Sequence, residues 1–218
     1  FGDVSVAMRN FLRKQEKKRF SPGTFAAMTY LNLKDPATIK LMRFGMMDFG
    51  FKAQRLAHKA AKAIGLVQDS RAHPPASLGA PTVKTQVIHF LNRPMPGNLP
   101  KRTSRGLLDI EDDKVIPVIR NPKKTTEESD AVFYFPGCGS ERLFSQVGLA
   151  TQAMLYEIGA TTVLPPGYLC CGYPQTSSGD EDKGQKITTD NRVLFHRVAN
   201  TLNYLDIKTV IVSCGTCM

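Results

Sequence analysis

Residues 131–138 read Ala131-Val132-Phe133-Tyr134-Phe135-Pro136-Gly137-Cys138. Asp130 on one side and Pro136-Gly137 on the other bound a five-residue apolar run rich in β-formers, the pattern of a short strand. A cysteine follows its end. Downstream, from near Phe144 to Ile158, the residues Val147, Thr151, Met154, Leu155 and Ile158 recur at helical spacing, and Gly159 closes that helix. Thr161-Thr162-Val163-Leu164 reads as a second strand, broken by Pro165-Pro166-Gly167 and followed by Cys170-Cys171-Gly172 and a polar loop. Ser177-Ser178-Gly179-Asp180-Glu181-Asp182 then places cap residues and negative charge at the start of a long helix. Ile187, Leu194, Val198, Leu202 and Leu205 mark its buried side. A third strand, Thr209-Val210-Ile211-Val212-Ser213, leads straight into Cys214.

Strand, helix, strand, helix, strand implies an α/β fold: a small parallel sheet with flanking helices, Rossmann-like. Parallel strands share one C-terminal edge. Cys138 follows the first strand, Cys170 and Cys171 the second, and Cys214 and Cys217 the third, so all are expected on one rim, where open α/β sheets hold their ligands.

All five cysteines of the chain lie in its last 81 residues. An odd number closes no disulfide framework, and in a chain with no signal-peptide pattern such clustering points to metal binding or redox chemistry. Five thiolates on one rim suit an iron–sulfur cluster or zinc. Zinc is content with four ligands, and the adjacent side chains of Cys170 and Cys171 point apart on an extended chain, which favours a larger group. Two other readings stay open. One is a structural zinc staple or metal-free docking module; the other is thiol–disulfide chemistry at Cys214-Gly215-Thr216-Cys217, a Cys-x-x-Cys that follows a strand.

The front of the chain differs in kind. Before Gly106 there are 19 Lys and Arg against 5 Asp and Glu, and from Gly106 onward 10 against 14, so the formal charge of +10 belongs to the front half. Its basic segments read first as a solvated helix face, and also suit an acidic partner or an anionic membrane surface; with no accompanying nucleic-acid motif, nucleic acid is not expected. Residues 1–67 read as a basic helical region: an amphipathic helix over 4–19, a reset at Ser21-Pro22-Gly23, then a helical run from Asp35-Pro36 to a C-cap at Gly65. Within it Met42, Met46 and Met47 read as core or subunit contact. Residues 68–130 form a Pro-rich connector with a short helix near Thr82–Leu91 and an extended piece at Val115–Ile119, where Pro117 favours a sheet edge. Residues 131–218 are the α/β domain. His58, His73, His89 and His196 are scattered, and none reads as a ligand. No apolar run approaches the length of a membrane span, and the ends of the chain read as those of a fragment.

Tyr134-Phe135-Pro136-Gly137-Cys138, Pro165-Pro166-Gly167-Tyr168-Leu169-Cys170-Cys171-Gly172-Tyr173-Pro174 and Cys214-x-x-Cys217 together resemble the cysteine-rich CCG domain. That domain occurs in the heterodisulfide reductase B subunit and in the iron–sulfur subunits of glycolate oxidase, lactate utilisation and anaerobic glycerol-3-phosphate dehydrogenase systems. The resemblance covers residues 131–218 and implies an electron-transfer module with a 4Fe-4S type cluster, or in some copies zinc. It makes Cys138, Cys170, Cys171, Cys214 and Cys217 the ligand candidates, with Gly137 and Gly172 at the cofactor, Gly172 allowing close backbone approach. It also implies a flavin-dependent 2-hydroxy-acid dehydrogenase domain or subunit carrying FAD, a second CCG repeat or ferredoxin-like domain elsewhere, and a cytoplasmic location, with the inner face of the membrane as a further expectation. Three departures stand out. The stretch from Gly172 to Cys214 is a few residues longer than the strictest form of the pattern, a single repeat is present, and a ferredoxin-type Cys-x-x-Cys-x-x-Cys-x-x-x-Cys-Pro is absent from this sequence.

Overall fold

The computed structural model describes residues 2–16, 20–67, 87–88 and 90–217. The chain forms two compact units, one of residues 1–39 with 102–218 and one of residues 40–101.

The first unit is built on four strands, β1 (Val118–Ile119), β2 (Ala131–Phe135), β3 (Thr161–Val163) and β4 (Thr209–Val212), in the spatial order β1-β3-β2-β4. β2 pairs in parallel with β3 on one side, Val132 opposite Thr162, and with β4 on the other, Tyr134 opposite Ile211. The fold is α/β as expected, with one difference. The sheet is mixed, because β1 lies antiparallel to β3 at the edge. Pro117 sits just before β1, where its carbonyl accepts from the Leu164 N–H at 2.9 Å and its lack of a donor costs nothing.

β2 is central because both of its faces are apolar. Val132 and Tyr134 pack with Leu155, Ala160 and Leu164 on one face; Phe133 and Phe135 pack with Val163, Leu169 and Val198 on the other. The Phe195 ring lies 4.9 Å from Phe133 and 5.5 Å from Phe135, centroid to centroid, joining the helix Glu181–Thr201 to β2. Each such buried aromatic is worth about 1.5–3 kcal/mol by the area it removes from water.

The helix Ser145–Glu157 forms where expected, but a different face is buried. Val147, Met154 and Ile158 are exposed, whereas Ser145, Gly148, Gln152 and Leu155 face inward. The cause is close approach: a Cβ on Gly148 would stand 2.8 Å from the Ser140 carbonyl oxygen, so only a small-residue face fits against the loop after β2. The region after Gly172 is likewise more ordered than a polar loop. It forms the helix Tyr173–Ser178, with Pro174 in its first turn and Gly179 at its C-terminal end, φ +98°.

The N-terminal helix spans Gly2–Lys14, shorter than the sequence suggests; residues 17–19 lie outside the described residues. Its arginines have a structural task. Arg9 Nη1 donates to the Ser177 carbonyl at 2.8 Å and Arg13 Nε to that of Ser178 at 2.7 Å, so both cations cap the C-terminal end of the helix Tyr173–Ser178. Where Ser21-Pro22-Gly23 suggested a reset, a further helix starts, Pro22–Asn32, with the Ser21 hydroxyl accepting from the Thr24 N–H.

In the second unit the chain runs through a π-helical turn, Phe44–Gly50, into the helix Phe51–Ala63, with Gly65 at φ +74°. Met47 is buried and Met42 and Met46 partly so. Gln54 pins the Pro-rich connector: its amide donates to the carbonyls of Phe90 and Arg93, both at 2.8 Å, and accepts from Met95 N–H at 2.9 Å. Of the short helix expected near Thr82–Leu91, residues 82–86 and 89 lie outside the described residues, and Val87, Ile88, Phe90 and Leu91 are helical. Among the described residues no helix is long and apolar enough to cross a membrane.

Candidate metal centre

The strand order makes a crevice where the site is needed. From β2 the chain passes to β3 on one side, then through the helix Glu181–Thr201 to β4 on β2's other side. Loops leaving β2 and β4 therefore lie side by side at the carboxyl edge of the sheet, the edge at which open sheets bind ligands. Cys138 lies three residues beyond β2, and Cys214 two beyond β4. The Tyr134 and Ser213 hydroxyls, 2.5 Å apart, tie β2 to the residue preceding Cys214.

The cysteines of all three loops meet. Cys170 Sγ lies 3.6 Å from Cys138 Sγ, both buried. Cys171 and Cys217 pack against the same apolar cluster, the Cys171 sulfur lies 3.9 Å from the Thr216 carbonyl oxygen, and the Cys217 sulfur lies against Gly137, next to Cys138. Cys171, bonded by the thiols of Cys170 and Cys217, is lowered to about 3, and Cys138, bonded by Cys170 and close to the Arg142 charge, is also lowered. The donors Cys170 and Cys217 are raised by those same bonds. The Cys170 thiol has one proton, which serves Cys138, Cys171 or the Gln175 amide oxygen, 3.9 Å away, one at a time. Exposed Cys214 is lowered by the Thr216 hydroxyl, 3.0 Å from its sulfur.

Gly137 and Gly172 have distinct reasons to be glycine. Gly137 has φ +71°, and a Cβ there would lie 2.8 Å from Cys217 Sγ, so it keeps the thiol crevice narrow. Gly172 has φ +91°, and its Cβ would meet the Gly184 carbonyl oxygen at 2.5 Å. The close approach at Gly172 is to the helix Glu181–Thr201. Gly184 returns the contact, since its own Cβ would stand 2.0 Å from Thr176 Oγ1.

That helix also holds the Cys170-Cys171 backbone. Asn191 Nδ2 donates to the Cys170 carbonyl at 2.6 Å and the Thr188 hydroxyl to that of Cys171 at 3.1 Å. Gly184, Thr188 and Asn191 share one helix face by their spacing of four and three, a signal present in the sequence but obscured by the apolar stripe beside it. Behind Cys138, the buried carboxylate of Glu141 is bonded by Arg105, and Arg142 Nη1 donates to the Tyr30 carbonyl at 2.8 Å. Tyr168 donates to Glu111 Oε1 at 2.8 Å and meets the Thr103 hydroxyl at 2.6 Å; burial raises it. None of these polar supports is evident from sequence periodicity. Of the histidines, His196 is exposed and His58 faces the Leu91 carbonyl, while His73 and His89 lie outside the described residues.

The donor set fits a thiolate-held group: five sulfurs from three loops, with a lowered thiol in each loop. Among the described residues no group of three or more His, Cys, Asp or Glu side chains is set in a geometry that holds an ion.

Residues 132–218 match the CCG family, a cysteine-rich domain. The chain is 30% identical over 86 residues to "Probable glycolate oxidase iron-sulfur subunit" of Bacillus subtilis (strain 168), covering 39% of this chain and 18% of that protein. It is 29% identical over 87 residues to "Lactate utilization protein A" of an Exiguobacterium species, covering 40% of this chain and 33% of the relative. An iron-sulfur protein of Methanococcus maripaludis is 23% identical over 119 residues, 55% of this chain and 22% of that protein. The chain thus spans at most about a third of the length of these curated relatives. No solved structure matches it.

Proposed function

We propose that the CCG cysteine-rich domain of residues 132–218 is an iron–sulfur electron-transfer module of an oxidoreductase of the glycolate or lactate type. The observation that carries this reading is the convergence of Cys138, Cys170, Cys171, Cys214 and Cys217 on the loops after three parallel strands, with the sulfurs of Cys138 and Cys170 3.6 Å apart and Cys217 packed beside Gly137. A cluster, of 4Fe-4S type in this reading, supplies one-electron chemistry when bound. The chain's part is to present thiolates. Cys138 and Cys171 are biased toward the charged form that metal binding requires, and Asn191 and Thr188 hold the Cys170-Cys171 backbone in place. Phe133, Phe135 and Leu169 keep the floor of the site dry. The electron source is a flavin-dependent 2-hydroxy-acid dehydrogenase partner carrying FAD, with a second CCG or ferredoxin-like domain completing the relay. In this reading the protein works in the cytoplasm or against the inner face of the membrane.

Iron and acid-labile sulfide analysis with EPR on anaerobically reconstituted protein tests the proposal. Stoichiometric iron and sulfide, lost on Cys171→Ser, is the expected result; zinc without iron overturns it. One observation favours zinc as a second reading. The 3.6 Å between Cys138 and Cys170 sulfurs is near the edge of a tetrahedron of 2.3 Å zinc–sulfur bonds, roughly 3.8 Å.

A further inference from the structure

Beside Cys170, with no other cysteine in its lining, the first unit contains a cavity of about 220 Å³. Its floor includes three buried residues, Cys170, Arg142 and Asn191, and its mouth carries Lys34, Lys183 and Lys186. One acidic side chain, Asp190, lines it, 2.9 Å from Lys186 Nζ in an ion pair. Four cations face one carboxylate. Lys34 and Lys183 come from segments far apart in the chain, one after the helix Pro22–Asn32 and one in the first turn of Glu181–Thr201, so their convergence is a product of the fold.

We infer that this cavity binds a small organic anion bearing carboxylate groups. The charge selects for an anion, since the exposed ammonium groups of Lys34, Lys183 and Lys186 can pair with carboxylates and the fully buried Arg142 adds positive potential from behind the floor. The walls select for a carbon body. Leu169 and Ile187 line the cavity, an apolar wall that suits a short hydrocarbon chain but offers nothing to bare phosphate. The volume admits a molecule of a few carbons. Arg142 is fixed behind the floor by its bond to the Tyr30 carbonyl and by the Tyr168 ring 5.4 Å from its guanidinium carbon. The bound anion sits against Cys170, next to the site of the proposed electron transfer, yet its binding needs no metal and does not rest on that reading.

Calorimetric titration of the metal-free protein with glutarate, inorganic phosphate and neutral glutaramide, each at physiological ionic strength, tests this. The expected result is saturable binding of glutarate, at least tenfold tighter than phosphate, with no binding of glutaramide. Lys34→Gln/Lys183→Gln weakens glutarate at least tenfold without lowering thermal stability, because both side chains are exposed, and Lys208→Gln, outside the cavity, leaves it unchanged. Absence of saturable glutarate binding, equal binding of phosphate, or unchanged binding by the double variant overturns the inference.

Discussion

Gly137 and Cys217, eighty residues apart in sequence, pack so closely that a Cβ on Gly137 would lie 2.8 Å from the Cys217 sulfur. Gly137 follows β2 and Cys217 follows β4, so this contact fixes the width of the crevice between the two parallel neighbours. Gly137→Ala adds both a strained φ of +71° and that overlap, and is expected to cost about 1–3 kcal/mol in urea unfolding. It also accelerates labelling of Cys217 by a thiol reagent, as the sulfur is displaced. Gly139→Ala, with open space around its Cβ, is expected to stay within about 0.5 kcal/mol of wild type.

The Gly172 and Gly184 contact makes a second, independent lock. Gly184→Ala places a methyl group 2.0 Å from Thr176 Oγ1 and is expected to destabilise by about 2–3 kcal/mol. Thr176→Ala removes the oxygen, so the double variant recovers part of the loss. Strictly additive losses in a double-mutant cycle would exclude that contact as the cause.

Arg105 and Glu141 form a buried ion pair beneath the loop that carries Cys138. Arg105→Met leaves the carboxylate buried without that partner and is expected to cost about 3–5 kcal/mol. Arg105→Met/Glu141→Leu is expected to cost less than the sum of its two single changes, measured by chemical denaturation, because the double change removes both desolvated charges together.

At the start of the helix Pro36–Arg43, Asp35 accepts from the Thr38 hydroxyl and from the Thr38 N–H at 2.7 Å, and these bonds lower its carboxyl below the ordinary value of 3.8. A depressed carboxyl contributes its stability above the unfolded value and loses it as pH falls through the folded one. The Asp35 carboxyl carbon is therefore expected to titrate below 3.8 by NMR and to move up toward that value in Thr38→Ala, which removes the hydroxyl bond. An unchanged midpoint in Thr38→Ala would count against the hydroxyl as the main cause.

The strands β2, β3 and β4, and the cysteine at or just beyond each, follow from local sequence alone. Short runs of β-branched and aromatic residues closed by Pro and Gly have one good local solution, and parallel pairing leaves no choice of rim. Local sequence also indicates Gly65 and Gly159 as helix ends, because positive φ is a local demand. The contacts between distant segments arise only on folding: β1 running antiparallel against β3, the small-residue face of Ser145–Glu157 turned inward, Gly184 against Gly172, and Arg9 and Arg13 on the carbonyls of Ser177 and Ser178. The apolar stripe of that helix misled because hydrophobic burial is worth about 25 cal/mol per Å² wherever it occurs, whereas a backbone approach under 3 Å admits one residue type at one place. The cavity of Lys34, Arg142 and Lys183 was hidden for the same reason: it exists only when residues more than a hundred positions apart are folded onto the same sulfur.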